Sequence, residues 1–351
     1  MLGGLAGTPR TLTQRDLNRA LLARQLLLER RRTSVPRALE RIGGIQAQHA
    51  PSMYIGLWSR LAGFERDVLT RALERRTVVQ GTMMRSTIHL VSAADYWPLT
   101  AAIRRRRLEE WVKSKHRPDR PELARAAKKL ERPLAEGPLR AADAKQIVGG
   151  GPWLGGVGML VDLLRVPPSG TWEHRRADLY ATAESWLGPQ PRLKPDDAMV
   201  HLVRRYLTGF GPSSRAEIAD WAGVKKADVD PALDRIRPRR FVAEDGEELV
   251  DLPRAPLPAA DTPAPVRFLP VWDATLLVHK RRAGILSEEH RPVVFNTRTP
   301  HSVNTFLVDG VVAGTWRHER DRVELEPFGK LPRMAQRELR DEAARLAELH
   351  A

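Results

Sequence analysis

Three stretches of this chain are written in one pattern: a small polar or proline start, a helix with Ala and Leu or Ile at helical spacing, and a Gly-containing turn. They are Val35-Pro36-Arg37-Ala38-Leu39-Glu40-Arg41-Ile42-Gly43-Gly44-Ile45, Pro138-Leu139-Arg140-Ala141-Ala142-Asp143-Ala144-Lys145-Gln146-Ile147-Val148-Gly149-Gly150 and Pro212-Ser213-Ser214-Arg215-Ala216-Glu217-Ile218-Ala219-Asp220-Trp221-Ala222-Gly223-Val224. Each reads as a helix-turn-helix, and a repeat of this kind fixes the architecture more narrowly than composition does.

Each copy is read as having an amphipathic helix before it and a hairpin candidate after it. Residues 16–30 place Leu17, Leu21, Leu22 and Leu28 on one face, and residues 77–92 favour strands around Gly81. After the second copy, Pro167, Pro168 and Gly170 mark a turn between Leu163-Leu164-Arg165 and Thr171-Trp172. After the third, Asp245-Gly246 separates Arg240-Phe241-Val242 from Leu249-Val250. The pattern predicts three winged-helix units. Residues 253–265, rich in Pro and Ala, read as a linker. Beyond them, Asp309-Gly310 between two β-branched runs signals a hairpin, and residues 334–350 a closing helix.

The expected fold is therefore α+β and mainly helical. A first winged helix covers 10–100, a basic helical connector 101–136, a second unit 137–194 and a third 195–254, and a small β-rich domain with hairpin and terminal helix covers 266–351.

The charge limits the partners. Lys and Arg number 58 against 43 Asp and Glu, a net +15, which draws in polyanions, nucleic acid above all. A GC-rich genome would also raise Arg on solvated faces. The run Arg104-Arg105-Arg106-Arg107 fits a phosphate-binding ridge or a solvated helix face, and Arg104 and Arg105 are taken as DNA contacts. With no cysteine and no H-E-x-x-H pairing, neither metal nor cofactor is expected. No apolar stretch approaches the roughly 20 residues needed to cross a bilayer, and the N-terminus lacks a signal-peptide pattern. A cytoplasmic monomer acting on double-stranded DNA is the expectation.

Several motifs carry a resemblance as a set: Gln46-Ala47-Gln48, Tyr54-Ile55-Gly56-Leu57-Trp58-Ser59-Arg60-Leu61, Arg85-Ser86-Thr87-Ile88-His89-Leu90, Gly211-Pro212, and Leu307 to Arg317. Together they resemble the AlkZ/YcaQ-type winged-helix DNA glycosylase family over almost the whole chain. The resemblance implies three winged-helix units and a C-terminal β domain around a DNA cleft, with Gln-x-Gln or Gln-x-Asp as catalytic signature. Gln46 and Gln48 match the Gln-x-Gln form, typical of the branch that protects antibiotic producers from bulky alkylating products. A monofunctional glycosylase for N7- or N3-alkylated purines, crosslinks included, is thereby implied. One departure is Trp272-Asp273-Ala274-Thr275, where relatives often carry Phe-Asp-Glu and an aromatic residue.

Two amides suit that chemistry. An N7-alkylated purine is already cationic and leaves as a neutral base without a strong acid, so the protein need only position water. Alternate residues on an extended segment project to one side, so Gln46 and Gln48 can hold one water between them. Arg85, Thr87 and His89 at period 2 are read as facing the same cleft. Lys280, beside Arg281 and Arg282, is read as a phosphate contact rather than a Schiff-base nucleophile. From the polar segment 296–304, Arg298, Thr299, His301 and Asn304 are taken as DNA contacts on a protruding hairpin that probes a groove. Tyr54, Trp58 and Trp221 are assigned to the core. The competing classes are a winged-helix transcription regulator and a basic partner-binding protein, neither of which uses the glutamine motif.

Overall fold

The computed structural model describes residues 9–113, 117–277, 284–296 and 301–351. Within them the chain is a mixed α+β fold, in which one order of elements recurs: helix, short strand, two helices, hairpin. In the first instance these are Val35–Ile42, Ile45–Gln46, Ala50–Trp58, Arg66–Glu74 and the strands Val78–Thr82 and Ile88–Ser92. In the second they are Arg120–Glu136, Leu139–Arg140, Ala141–Val148, Gly151–Leu160, Leu163–Arg165 and Leu179–Thr182. In the third they are Pro195–Phe210, a single bridge from Ser213 to Val250, Arg215–Ala222, Lys226–Ile236, Arg239–Ala243 and Glu248–Asp251.

This order shifts the first copy by one element from the sequence expectation. In the second and third copies the left-handed glycines Gly149 (φ +99°) and Gly223 (φ +71°) lead into another helix. After Ile42, by contrast, Gly43 and Gly44 are both left-handed (φ +81° and +82°) and deliver the chain into the strand Ile45–Gln46. A Cβ on Gly44 would stand 3.0 Å from the Leu90 carbonyl oxygen and the Val91 Cγ1, so only glycine lets this turn press against the hairpin. Two further differences are local. The helix Gln14–Arg24, capped by a Thr13/Asp16 capping box, ends before Leu28. The partner of Leu163–Arg165 is Leu179–Thr182 rather than Thr171-Trp172; Trp172 is instead buried edge-on against Tyr54 at 5.5 Å.

The first two hairpins are not separate wings. Val78–Thr82 pairs antiparallel with Leu163–Arg165, Gln80 opposite Arg165 and Gly81 opposite Leu164. The result is one six-stranded antiparallel sheet in the order Ile45–Gln46, Ile88–Ser92, Val78–Thr82, Leu163–Arg165, Leu179–Thr182, Leu139–Arg140. The N-terminal strand Thr11–Leu12 joins the third hairpin in parallel. Arg267–Leu269, Thr305–Val308, Val311–Glu319 and Arg322–Pro327 form a four-stranded antiparallel sheet, in which Asp309 and Gly310, both at positive φ, turn Thr305–Val308 into Val311–Glu319. The helix Arg333–His350 packs on it.

The cores cut across the boundaries expected from sequence. Ile45, Tyr54, Leu57 and Trp58 share one apolar cluster with Phe268, Phe306, Trp316 and Leu346. Trp221 lies in another with Leu21, Val79 and Ile103. The helix Ala93–Val112 starts before the expected connector, and its Leu108 and Trp111 close the second unit's core with Leu123 and Leu163. Arg60 ties the first unit to the C-terminal sheet. Both it and Asp273 are buried, with two bonds of 2.9 Å between them.

Candidate active site

The double-glycine turn places Gln46 directly opposite His89 in the strand ladder, and directly opposed residues share one face of a sheet. Gln46 is 8% exposed and His89 4%, while Gln48 is exposed. The Gln46 Nε2 donates to the Gln48 Oε1. Period-2 alternation thus brings the two amides into contact, one from the wall and one from the opening. The pairing uses one donor and one acceptor and leaves the Gln46 carbonyl oxygen and the Gln48 amide nitrogen for another molecule.

His89 is held as a neutral base. Burial pushes its pKa down to about 4; the hydrogen bond to the Thr87 carbonyl opposes this and the charge of Arg85 adds to it. Nδ1 lies 3.1 Å from the Thr87 carbonyl oxygen, so Nδ1 carries the hydrogen and Nε2 keeps its lone pair. A buried neutral imidazole is a poor partner for a phosphate, so the sequence reading of His89 as a DNA contact is narrowed to a base or sugar rather than the backbone. Thr87 is half-buried and its hydroxyl donates to the Met84 carbonyl at 3.1 Å. Arg85 leaves the period-2 series altogether. It sits in a 3-10 turn at φ +50°, followed by Ser86 at +60°, and the strand begins only at Ile88.

The remaining expected contacts divide. On a helix four consecutive residues point around the cylinder, and Arg104–Arg107 do so. Arg104 is committed to Asp162 at 2.5 Å and to the Gln190 side chain at 3.1 Å. Arg106 pairs with Glu110 at 2.6 Å, and buried Arg107 donates to the Thr82 carbonyl. Only Arg105, 3.7 Å from Glu109, is largely free, so the run is not one ridge. Asn304 is a brace: its Oδ1 accepts from the Val271 amide at 2.9 Å. His301 is exposed and meets the Trp272 ring edge-on at 5.4 Å, on the two-stranded ladder that pairs Asn296 with His301. Lys280, Arg298 and Thr299 lie outside the described residues.

No motif or periodicity marks His49 or Arg175 in the sequence. Burial, then the charges of Arg175 and His301, hold the His49 imidazole below its ordinary range. His301 therefore acts on the residue next to Gln48, although 252 positions separate His49 from His301. Among the described residues, the guanidinium of Arg175 acts on His49 and that of Arg85 on His89. This is an electropositive setting for two amides and suits a polyanion. Arg85 also lines a pocket of about 350 Å³ with Arg107, Trp111 and Arg117. Asp273, within the segment that departs from the family pattern, is no acid or base. Burial would raise its pKa, but Arg60 and Thr275 hold it below the carboxylate range.

A mixed α+β fold of recurring helix and hairpin units, in a chain of net charge +15, fits a protein that acts on DNA. The sequence matches the family described as "DNA glycosylase AlkZ-like" over residues 39–349, and the chain belongs to that family. Its fold is similar to that of the Streptomyces sahachiroi DNA glycosylase AlkZ, with a TM-score of 0.81 at 18% sequence identity, covering 97% of each chain. No curated protein matches the sequence. No helix among the described residues is long and apolar enough to cross a membrane.

Proposed function

We propose that this protein hydrolyses the N-glycosidic bond of N7- or N3-alkylated purines in double-stranded DNA, bulky adducts and interstrand crosslinks among them, as a monofunctional, cofactor-free, cytoplasmic monomer. A role in self-resistance to a genotoxic natural product follows from the Gln-x-Gln form. The observation that carries the reading is the hydrogen-bonded Gln46–Gln48 pair beside a neutral His89. Hydrolysis of a neutral glycoside needs an acid for the leaving group and a base for water. A cationic purine needs no acid, and the Gln46 carbonyl and Gln48 amide supply the acceptor and donor that fix a water.

The recurring helix–strand–helix–helix–hairpin order is that of a winged helix, and we read the three instances as DNA-docking units. The hairpin from Phe295–Asn296 to His301–Ser302 stands beside the glutamine segment through His301 and His49, which supports its use as a groove probe for lesions too large to flip.

Single-turnover release of N7-methylguanine from duplex DNA tests the chemistry. Gln46→Ala and Gln48→Ala each lower the rate about 10²-fold or more while DNA affinity and melting temperature stay within error. Unchanged rates in both variants remove the pair from the mechanism, and salt-sensitive binding with no base release by the wild type would make the chain a regulator.

A further inference from the structure

An arginine-rimmed groove opens where the helices Val35–Ile42 and Pro195–Phe210 meet the chain that follows the strand Glu248–Asp251. It measures about 590 Å³ and is lined by Arg24, Arg41, Arg204, Thr208 and the segment from Leu252 to Pro256, which contributes Arg254. It shares no lining residue with the glutamine site.

Its floor is electrically closed. Buried Asp251 accepts Nη1 and Nη2 of Arg24 at 2.7 and 2.9 Å and Nη2 of Arg239 at 2.6 Å. Arg24 also donates to the carbonyls of Leu207 at 2.7 Å and Pro256 at 3.0 Å. This carboxylate is fully used, and the buried Nε atoms of Arg24 and Arg239 are left without a partner.

The rim is different. Arg41, Arg204 and Arg254 are exposed, and none of them pairs with a carboxylate among the described residues. Elsewhere this chain sets acids beside its surface arginines, as in Arg235–Asp197 at 2.6 Å and Arg215–Asp230 at 3.5 Å. Here, instead, like charges face one another: after burial, Arg31 and Arg24 are what lower the pKa of Arg41. Three unpaired guanidiniums on separate elements around an open groove, with no acid in its lining, form a site whose self-repulsion a negative ligand relieves.

We infer that this groove binds phosphate groups, and that the occupant is the phosphodiester backbone of duplex DNA. A groove this wide and open suits an extended polyanion better than a single phosphate ion. The inference uses the DNA substrate of the family and is independent of any role for Gln46 and Gln48.

The test is the triple variant Arg41→Gln/Arg204→Gln/Arg254→Gln in the full chain, with Arg204→Gln alone as a milder version. All three positions are exposed, so the melting temperature stays unchanged. Binding of undamaged duplex is followed by fluorescence anisotropy across a salt series. With about 0.9 in the slope of log affinity against log salt for each phosphate contact, the triple variant flattens the slope by roughly 2–3 and the single one by about 1. Lysine at all three positions restores it. Base release at saturating enzyme is unaffected. A parallel titration with inorganic pyrophosphate separates the sources: pyrophosphate binding lost in the triple variant with an unaltered DNA slope overturns DNA as the occupant and leaves a phosphate site. An unaltered slope with no pyrophosphate binding overturns the site.

Discussion

Asp273→Ala is the substitution whose effect follows most directly from geometry. Its carboxylate accepts both terminal nitrogens of Arg60 at 2.9 Å, the Thr275 hydroxyl at 2.7 Å and the Thr275 amide at 3.0 Å. Both side chains are almost wholly buried, at 1% and 3% exposure. Removing the carboxylate strands a guanidinium in the interior, whose Nε already has no partner, and unpairing a buried charge costs about 3–5 kcal/mol. That is a large part of the roughly 5–15 kcal/mol by which a domain is stable. Replacing both members by apolar residues, Arg60→Met with Asp273→Leu, removes the stranded charge as well and recovers most of the loss. Urea unfolding at pH 7 measures both variants. The pair also joins the helix Ala50–Trp58, through the Gly56 carbonyl that Arg60 caps at 2.9 Å, to the segment whose Trp272 amide donates to Ser302 at 2.6 Å. Asp273→Ala therefore lowers base release beyond its effect on folding. A single variant less than about 1 kcal/mol below the wild type, or a double variant no better than the single, would refute the reasoning.

Three further outcomes are expected. Because the folded His89 titrates near 4 and an unfolded imidazole near 6.5, the unfolded chain binds the extra proton. Its contribution, on the order of 3 kcal/mol, is complete above about pH 6.5 and is lost as pH falls towards 4. His350, held at about 4 by burial and by His318 stacked at 4.1 Å, acts in the same direction; denaturation midpoints across this window fall less steeply in His89→Gln. Gly44→Ala forces an L-residue to φ +82° at a cost of about 1–2 kcal/mol and moves the strand that carries Gln46, so base release drops together with the melting temperature. Shortening residues 297–302 to a two-residue turn abolishes release of a bulky N7-guanine adduct while duplex affinity falls only slightly; full activity of that deletion removes the hairpin from lesion handling.

What the sequence disclosed was local. Strand alternation alone puts Gln46 and Gln48 on one side, and Asp309-Gly310 and Asp245-Gly246 announce their turns because both need positive φ or an Asx bond within a few residues. Gly43-Gly44 misled, since a left-handed glycine ends a helix equally well before a strand or another helix. The arginine run was legible as charge, but the partners that absorb Arg104 and Arg107, Asp162 and the Thr82 carbonyl, lie on other elements. The convergence of His49, Arg175 and His301 depends on packing between segments more than a hundred residues apart, and no periodicity encodes it.

The shared sheet carries a consequence for how the protein opens. Strand Ile88–Ser92, which holds His89, is flanked on one side by the short strand of Gln46 and on the other by Val78–Thr82, itself locked onto the second hairpin. Separating the first repeat from the second would bare Val78–Thr82 as an unpaired edge, a template for aggregation. The two repeats therefore melt as one cooperative block, and backbone amides of Gly81 and Leu164 exchange with solvent at matching, slow rates. Ile45–Gln46 and Leu139–Arg140, the two rims of that block with two residues of pairing each, fray first, so Gln46 sits on a soft margin of a cooperative unit.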